Sequence, residues 1–154
     1  MNPGINPGAQ LESLFRQIAD TRMQGIPILN PALQVQAIGF RQWEGPQGLL
    51  WAGVLLTPWF MNLMLLPAAA DSLPSVPAGG EVVVQLPGDA LPFMAGHETA
   101  LGNYCLCSLF SPVLQFADQP SACSTAAEVL KLLFPPAQPT TPDLSRRRLF
   151  GLGR

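Results

Sequence analysis

His97 is the only histidine in this chain, and Glu98 follows it directly. A histidine beside a carboxylate has the makings of a general base, but a base needs an oriented partner and a nucleophile within reach. No Gly-x-Ser-x-Gly elbow accompanies it, so the pair reads as a binding contact or a loop histidine. Cys105 and Cys107 are the second candidate. On a strand they share a face, because side chains repeat every second residue. Two such thiols could bind a soft metal or report redox state. A structural zinc site needs four ligands, which His97 and Cys123 would have to complete. Free cysteines packing as small apolar side chains are the favoured reading. Gly79-Gly80, Gly88 and Gly96 belong to no phosphate-binding pattern. Lys131 is the only lysine, which removes most Schiff-base and phosphate-clamp chemistry.

A third candidate is a surface for a partner. Pro58, Trp59, Phe60, Met61, Asn62 and Met64 combine aromatic rings with pliable methionines, a composition suited to a groove for an apolar helix or peptide. Strand alternation puts Trp59 and Met61 on one face and Phe60, Asn62 and Met64 on the other. Core packing competes with the groove for some of these side chains. Binding is expected to depend on the exposed members of 58–64 together with neighbours near His97.

These residues lie in a long uncharged stretch. No charged side chain occurs from Gly45 to Ala70, and Leu49–Leu66 is interrupted only by Gly53, Thr57, Pro58 and Asn62. About 20 apolar residues could span a bilayer as a helix. Pro58 opposes this, since it removes a helical hydrogen bond mid-run and drives Thr57 toward an extended conformation. Trp51 and Trp59 also lie inside the run, not at its ends where interfacial anchors belong. Two strands, Leu49–Leu56 and Trp59–Leu66, hinged at Thr57-Pro58 and covered on both faces, fit better. No membrane span is expected.

The chain has 154 residues, the size of one domain, with 12% charged residues, 17 prolines and 14 glycines. Few charges and much apolar surface predict a patch used for association. Residues 1–144 hold four basic and ten acidic side chains, net −6, whereas 145–154 hold four arginines and no acid, net +4. That is an acidic body with a basic tail, which argues against nucleic-acid binding across the fold. Three cysteines make no disulfide framework, and the first residues lack a signal peptide, so a reducing cytoplasm is the default.

Leu11, Leu14, Phe15, Ile18 and Met23 recur at helical spacing after Asn6-Pro7, with Gly25 and Pro27 as stops. Asn30-Pro31 makes a turn. Leu33–Trp43, Glu81–Leu86, Phe93–Glu98 and Leu101–Phe110 read as strands. Pro67–Gly80 is a surface connection. A capping-box pattern at Thr125–Glu128 marks a second helix, whose start near Pro120 is the alternative; its apolar face is Ala126, Val129, Leu130 and Leu133, and Pro135-Pro136 ends it. The order predicts an α+β domain over 1–134, an antiparallel sheet packed with N- and C-terminal helices. Residues 135–154 form a Pro-rich linker and a flexible arginine-rich tail. In that tail Ser145-Arg146-Arg147-Arg148-Leu149-Phe150 is similar to a twin-arginine export signal, S-R-R-x-F-L. It sits at the wrong end of the chain for export and lacks the following apolar segment. It is either a solvated basic end or an imitation of a signal that a partner carries.

The stretch Gly53-Val54-Leu55-Leu56-Thr57-Pro58-Trp59-Phe60-Met61-Asn62 resembles the segment that marks nickel–iron hydrogenase assembly chaperones of the HybE/HupJ type. Asn30-Pro31-Ala32-Leu33, Gly96-His97-Glu98, Ser108-Leu109-Phe110-Ser111-Pro112 and Phe116-Ala117-Asp118 are similar to the same family, in consistent order over roughly residues 10–134. The arginine tail also looks like one found in family members. The resemblance implies a secretion-chaperone-like α+β fold and a cytoplasmic, non-enzymatic accessory protein without a cofactor. The implied partner is the precursor of an uptake hydrogenase, above all the small subunit bearing a twin-arginine signal. The large subunit and other accessory proteins are further partners. Some family members are associated with rubredoxin; this chain lacks the paired Cys-x-x-Cys motifs that rubredoxin iron requires. A thiol-dependent redox or metal-handling protein built on Cys105 and Cys107 is the competing reading.

Overall fold

The computed structural model describes residues 5–22 and 29–135. The elements run α1 (Gly8–Thr21), β1 (Gln36–Gly45), β2 (Gly48–Leu56), β3 (Met61–Pro67), β4 (Glu81–Gln85), β5 (Ala90–Glu98), β6 (Gly102–Phe110) and α2 (Gln119–Leu133). The six strands form one sheet, ordered β1-β2-β3-β6-β5-β4, and every pairing is antiparallel. The α+β expectation therefore holds.

The uncharged run becomes β2 and β3. Both are interior strands, and every residue of Leu50–Thr57 and Met61–Leu66 is buried. Two helices account for this, one on each face. On one side α2 packs Ala122, Ala126, Leu130 and Leu133 onto Ala52, Val54, Leu56, Leu63, Leu65 and Phe93. On the other, α1 packs Leu11, Phe15 and Ile18 with Trp51, Leu55, Met64 and Leu66. A continuous apolar strand is what burial from both sides demands. No helix among the described residues is long and apolar enough to cross a membrane.

The second helix begins earlier than its capping-box pattern predicts. Asp118 is the N-cap, accepting a hydrogen bond from the Ser121 N–H at 2.8 Å, and Pro120 occupies the first turn. Thr125 is already mid-helix, its hydroxyl donating to Ser121 O at 3.1 Å, while Glu128 pairs with Lys131. At the first helix the cap position is Pro7, and Asn6 Oδ1 accepts from the Gly8 N–H at 2.8 Å. That helix ends at Thr21; Met23, expected on its apolar face, and Gly25 and Pro27, expected as its stops, lie outside the described residues, as do the linker from residue 136 and the arginine tail.

Both helices also hold the edge of β1. Glu12 Oε2 accepts from the Ala37 N–H at 2.8 Å, and Arg16 and Asn6 donate to Val35 O and Phe40 O. From α2, Gln119 takes both the N–H and the C=O of Gln34. Further contacts tie α1 to the β5–β6 turn: Gln10 Nε2 donates to Ala100 O at 2.9 Å, and Arg22 meets Glu98 at 3.3 Å.

Candidate partner-binding site

Thr57 closes the β2–β3 turn. It is fully buried, and its Oγ1 accepts from the N–H groups of Trp59 and Phe60 at 3.2 and 3.0 Å. Its own N–H donates to Phe60 O at 2.8 Å. Hydroxyl-to-backbone bonds of this kind fix a turn locally, and Pro58 adds its fixed φ.

The turn resets the strand alternation. Trp59 and Phe60 therefore do not lie on opposite faces, as a single strand from residue 59 would place them. Both rings pack on the α1 side, 5.4 Å apart and edge-on, with Phe15 5.8 Å from Phe60 and 6.4 Å from Trp59. Pro58, Trp59 and Phe60 are half-buried, so part of each remains open to a partner.

The rest of the expected groove is interior. Met61 belongs to the core under α2 and Met64 to the core under α1, both essentially without exposure. They cannot be presented to a partner while the sheet is intact. Asn62 is also buried, on the α1 side opposite Leu55. Its side-chain amide makes no hydrogen bond with the described residues. Buried amides are nearly always paired, and an unpaired one lacks the bonds it would make in water.

Asn30 fastens this turn to the chain before α2. Its N–H donates to Pro58 O at 2.8 Å. Its Nδ2 donates to Val113 O at 3.0 Å and Phe116 O at 2.8 Å, and its Oδ1 accepts from the Ala32 N–H. Phe116 stands edge-on to Phe110 at 5.3 Å, while Leu114 projects outward, 55% exposed. Three separated segments, 30–33, 57–60 and 111–118, thus meet at one end of the sheet. Sequence reasoning passed over Asn30, Thr57, Phe15 and Leu114 as site residues. The Asn-Pro and Ser-Pro dipeptides beside them signalled turns, not that the turns would touch.

His97 and Glu98 are elsewhere. Met61 pairs with Phe110 and His97 with Asn103, seven residues apart on β6, or roughly 23 Å of strand. The expected site spanning 58–64 and His97 is therefore two places. His97 Nδ1 meets Asn103 Oδ1 at 2.8 Å on an exposed strand end. Glu98 is taken by Arg22. One residue before His97 the ring of Tyr104 crosses its cross-strand partner Gly96, where a Cβ would come within 2.6 Å of it. Burial, then the Glu98 charge, push the Tyr104 hydroxyl above its ordinary pKa, with Arg22 opposing. A cleft of about 1180 Å³ lies near this end, between residues 67–78 and the start of β6. Among the described residues lining it, Asp71 carries the one charge, and Tyr104 and Cys105 are the other titratable groups.

Cys105 and Cys107 do share a face, in the core beneath α2. Burial pushes both thiols above their ordinary pKa. Cys123, half-buried on α2, donates to Gln36 Oε1 at 3.2 Å and is shifted the same way by burial. No group of three or more potential metal-binding side chains occurs among the described residues.

The chain is 41% identical over 141 residues to the hydrogenase expression/formation protein HupT of Azotobacter chroococcum mcd 1, covering 91% of each. It is 40% identical to the protein HoxT of Cupriavidus necator, over 94% of this chain and 87% of that one. The solution structure of HybE from Escherichia coli superposes with a TM-score of 0.66 at 26% identity, covering 98% of this chain and 91% of the other. The family described as [NiFe]-hydrogenase assembly, chaperone, HybE matches residues 6–152. With the two-helix, six-stranded fold shared and the matched region running nearly end to end, this chain belongs to the HybE family of [NiFe]-hydrogenase assembly chaperones.

Proposed function

We propose that this chain is a non-enzymatic, cytoplasmic chaperone that holds a nickel–iron hydrogenase precursor during assembly. Its client is the small-subunit precursor bearing a twin-arginine signal, and the contact is made at Pro58, Trp59 and Phe60 with Leu114 alongside. The observation that carries this reading is the fixed turn: half-exposed aromatic rings are held by the bonds of Thr57 and Asn30 to the turn's main chain. Rigid aromatic side chains at a surface bind with little loss of conformational entropy. His97 and Glu98 are a secondary contact at the other end of β6, and the large subunit is a further partner. The tail Ser145–Phe150 modulates client binding, because a cluster of arginines complements the acidic body.

Capture of the purified small-subunit precursor tests this reading. Trp59→Ala and Phe60→Ala should each weaken binding about ten-fold or more while circular dichroism stays that of the unaltered chain. Unchanged capture by both folded variants would remove the turn from the interface. Deleting residues 145–154 should alter affinity in a salt-dependent way; equal affinity at low and moderate salt would make the tail a bystander.

A further inference from the structure

The two edges of the sheet are finished differently. Main-chain groups along and just before β1 are taken by side chains of Glu12, Arg16 and Gln119. The outer edge of β4 has no such cover. Leu86 N–H donates to Asp89 O, and Ala95 N–H to Gly80 O, both at 2.9 Å, so the Gly80 carbonyl and the Leu86 N–H face β5. Antiparallel ladders alternate. Val82 and Val84 therefore also face β5, and Glu81, Val83 and Gln85 direct their N–H and C=O groups away from the sheet. Among the described residues none of these outward groups has a partner.

Exposed edges are normally blunted by lysine, proline, a bulge or a covering segment, because they template the pairing of another chain. This one is centred on Val83, 68% exposed, with Met94, 44% exposed, behind it on the same face. Beside it runs a groove of about 280 Å³, whose far wall includes Pro46, Gln47, Ser72 and Pro74.

We propose that β4 receives an extended segment of the client by strand addition, so that the client is held at the sheet edge as well as at the Thr57–Phe60 turn. This rests on the client reading above. The occupant is a single extended chain. A second copy would bring the same acidic surface against this edge. The segment places alternate apolar side chains over Val83 and Met94 and a basic side chain beside Glu81. The described residues carry four cationic side chains against nine carboxylates, net −5, which draws a basic segment in. Main-chain bonds give such complexes their affinity, and the alternate side chains give specificity.

The test uses the full chain and the small-subunit precursor. Val83→Pro removes one outward N–H without touching the β4–β5 ladder, and proline is tolerated on edges. It should weaken precursor binding about ten-fold or more. In the unaltered complex, amide exchange should slow at Glu81, Val83 and Gln85, with Val82 and Val84 little changed from the free chain. Full-strength binding by a folded V83P, or no slowing at the three outward amides, overturns strand addition and leaves the client reading standing. Failure of the unaltered chain to bind precursor overturns both. Protection of the three amides in the free chain also overturns it: a rise with protein concentration indicates a second copy, and concentration-independent protection indicates the chain's own terminal segment. Should V83P not fold, the exchange pattern decides alone.

Discussion

The Asn30 N–H donates to the Pro58 carbonyl at 2.8 Å while the Asn30 side chain holds Val113 O and Phe116 O. One buried residue thus connects the β2–β3 turn to the segment that leads into α2. Asn30→Ala takes the side-chain partner from Phe116 O and the Ala32 N–H, leaves Val113 O with the Phe116 N–H alone, and should cost about 2–3 kcal/mol in denaturant unfolding. Asn30→Asp keeps the acceptor for Ala32 but turns a donor toward two carbonyls into a negative charge. It should be at least as damaging. A midpoint within error of the unaltered chain for both variants would refute the fastening role.

Thr57 poses a cleaner contrast. Thr57→Val keeps the buried shape and removes the acceptor shared by the Trp59 and Phe60 N–H groups. About 1–3 kcal/mol should be lost. Thr57→Ser keeps the hydroxyl and loses one buried methyl, for about 1 kcal/mol. If the valine variant proves the more stable of the two, the hydroxyl does not hold the turn.

The sheet in 45–70 was legible because Pro58 interrupts an apolar run at the point where a helix could not tolerate it. Which face each aromatic takes was not legible. Thr57 draws residues 59 and 60 into a turn, and alternation restarts only at Met61. The start of α2 was ambiguous because two stretches carry capping chemistry. Asp118 prevails over Thr125 because Ala122 and Ala126 are both needed on the buried face. The separation of His97 from the turn is a matter of register between β3, β6 and β5, which no local pattern encodes.

The cysteines give a prediction about reactivity. A thiolate is the nucleophile, and burial raises the pKa of Cys105 and Cys107. Thiol titration of the native protein at neutral pH should find these two unreactive and Cys123 slow. All three should react on unfolding. Rapid native labelling of Cys105 or Cys107 would revive a redox role.

Acid should loosen α2 through its cap. Bonds from Ser121, first its side chain and then its N–H, hold the Asp118 carboxyl below its ordinary pKa. A depressed folded-state pKa stabilises above the unfolded value and loses that contribution as pH falls through the folded one. The thermal midpoint should therefore drop from about pH 4 downward. Asp118→Asn, still a good cap, should flatten the part of that slope due to this residue. An identical pH profile for both chains would count against it.

The strand order has a consequence for how the molecule is made. β1–β2–β3 and β4–β5–β6 are each a meander of neighbouring hairpins, and only the β3–β6 seam joins them. Each half needs short loops alone, whereas the seam closes a long one, and distant pairings are the slow ones. The core beneath α2 takes side chains from both halves, Leu63 from β3 and Phe93 from β5 among them. Its helix follows both halves in the chain, so during synthesis it emerges after them. Until it docks, the two meanders share a seam with one apolar side uncovered. A chaperone of assembly thus completes its own interior only with its final described helix.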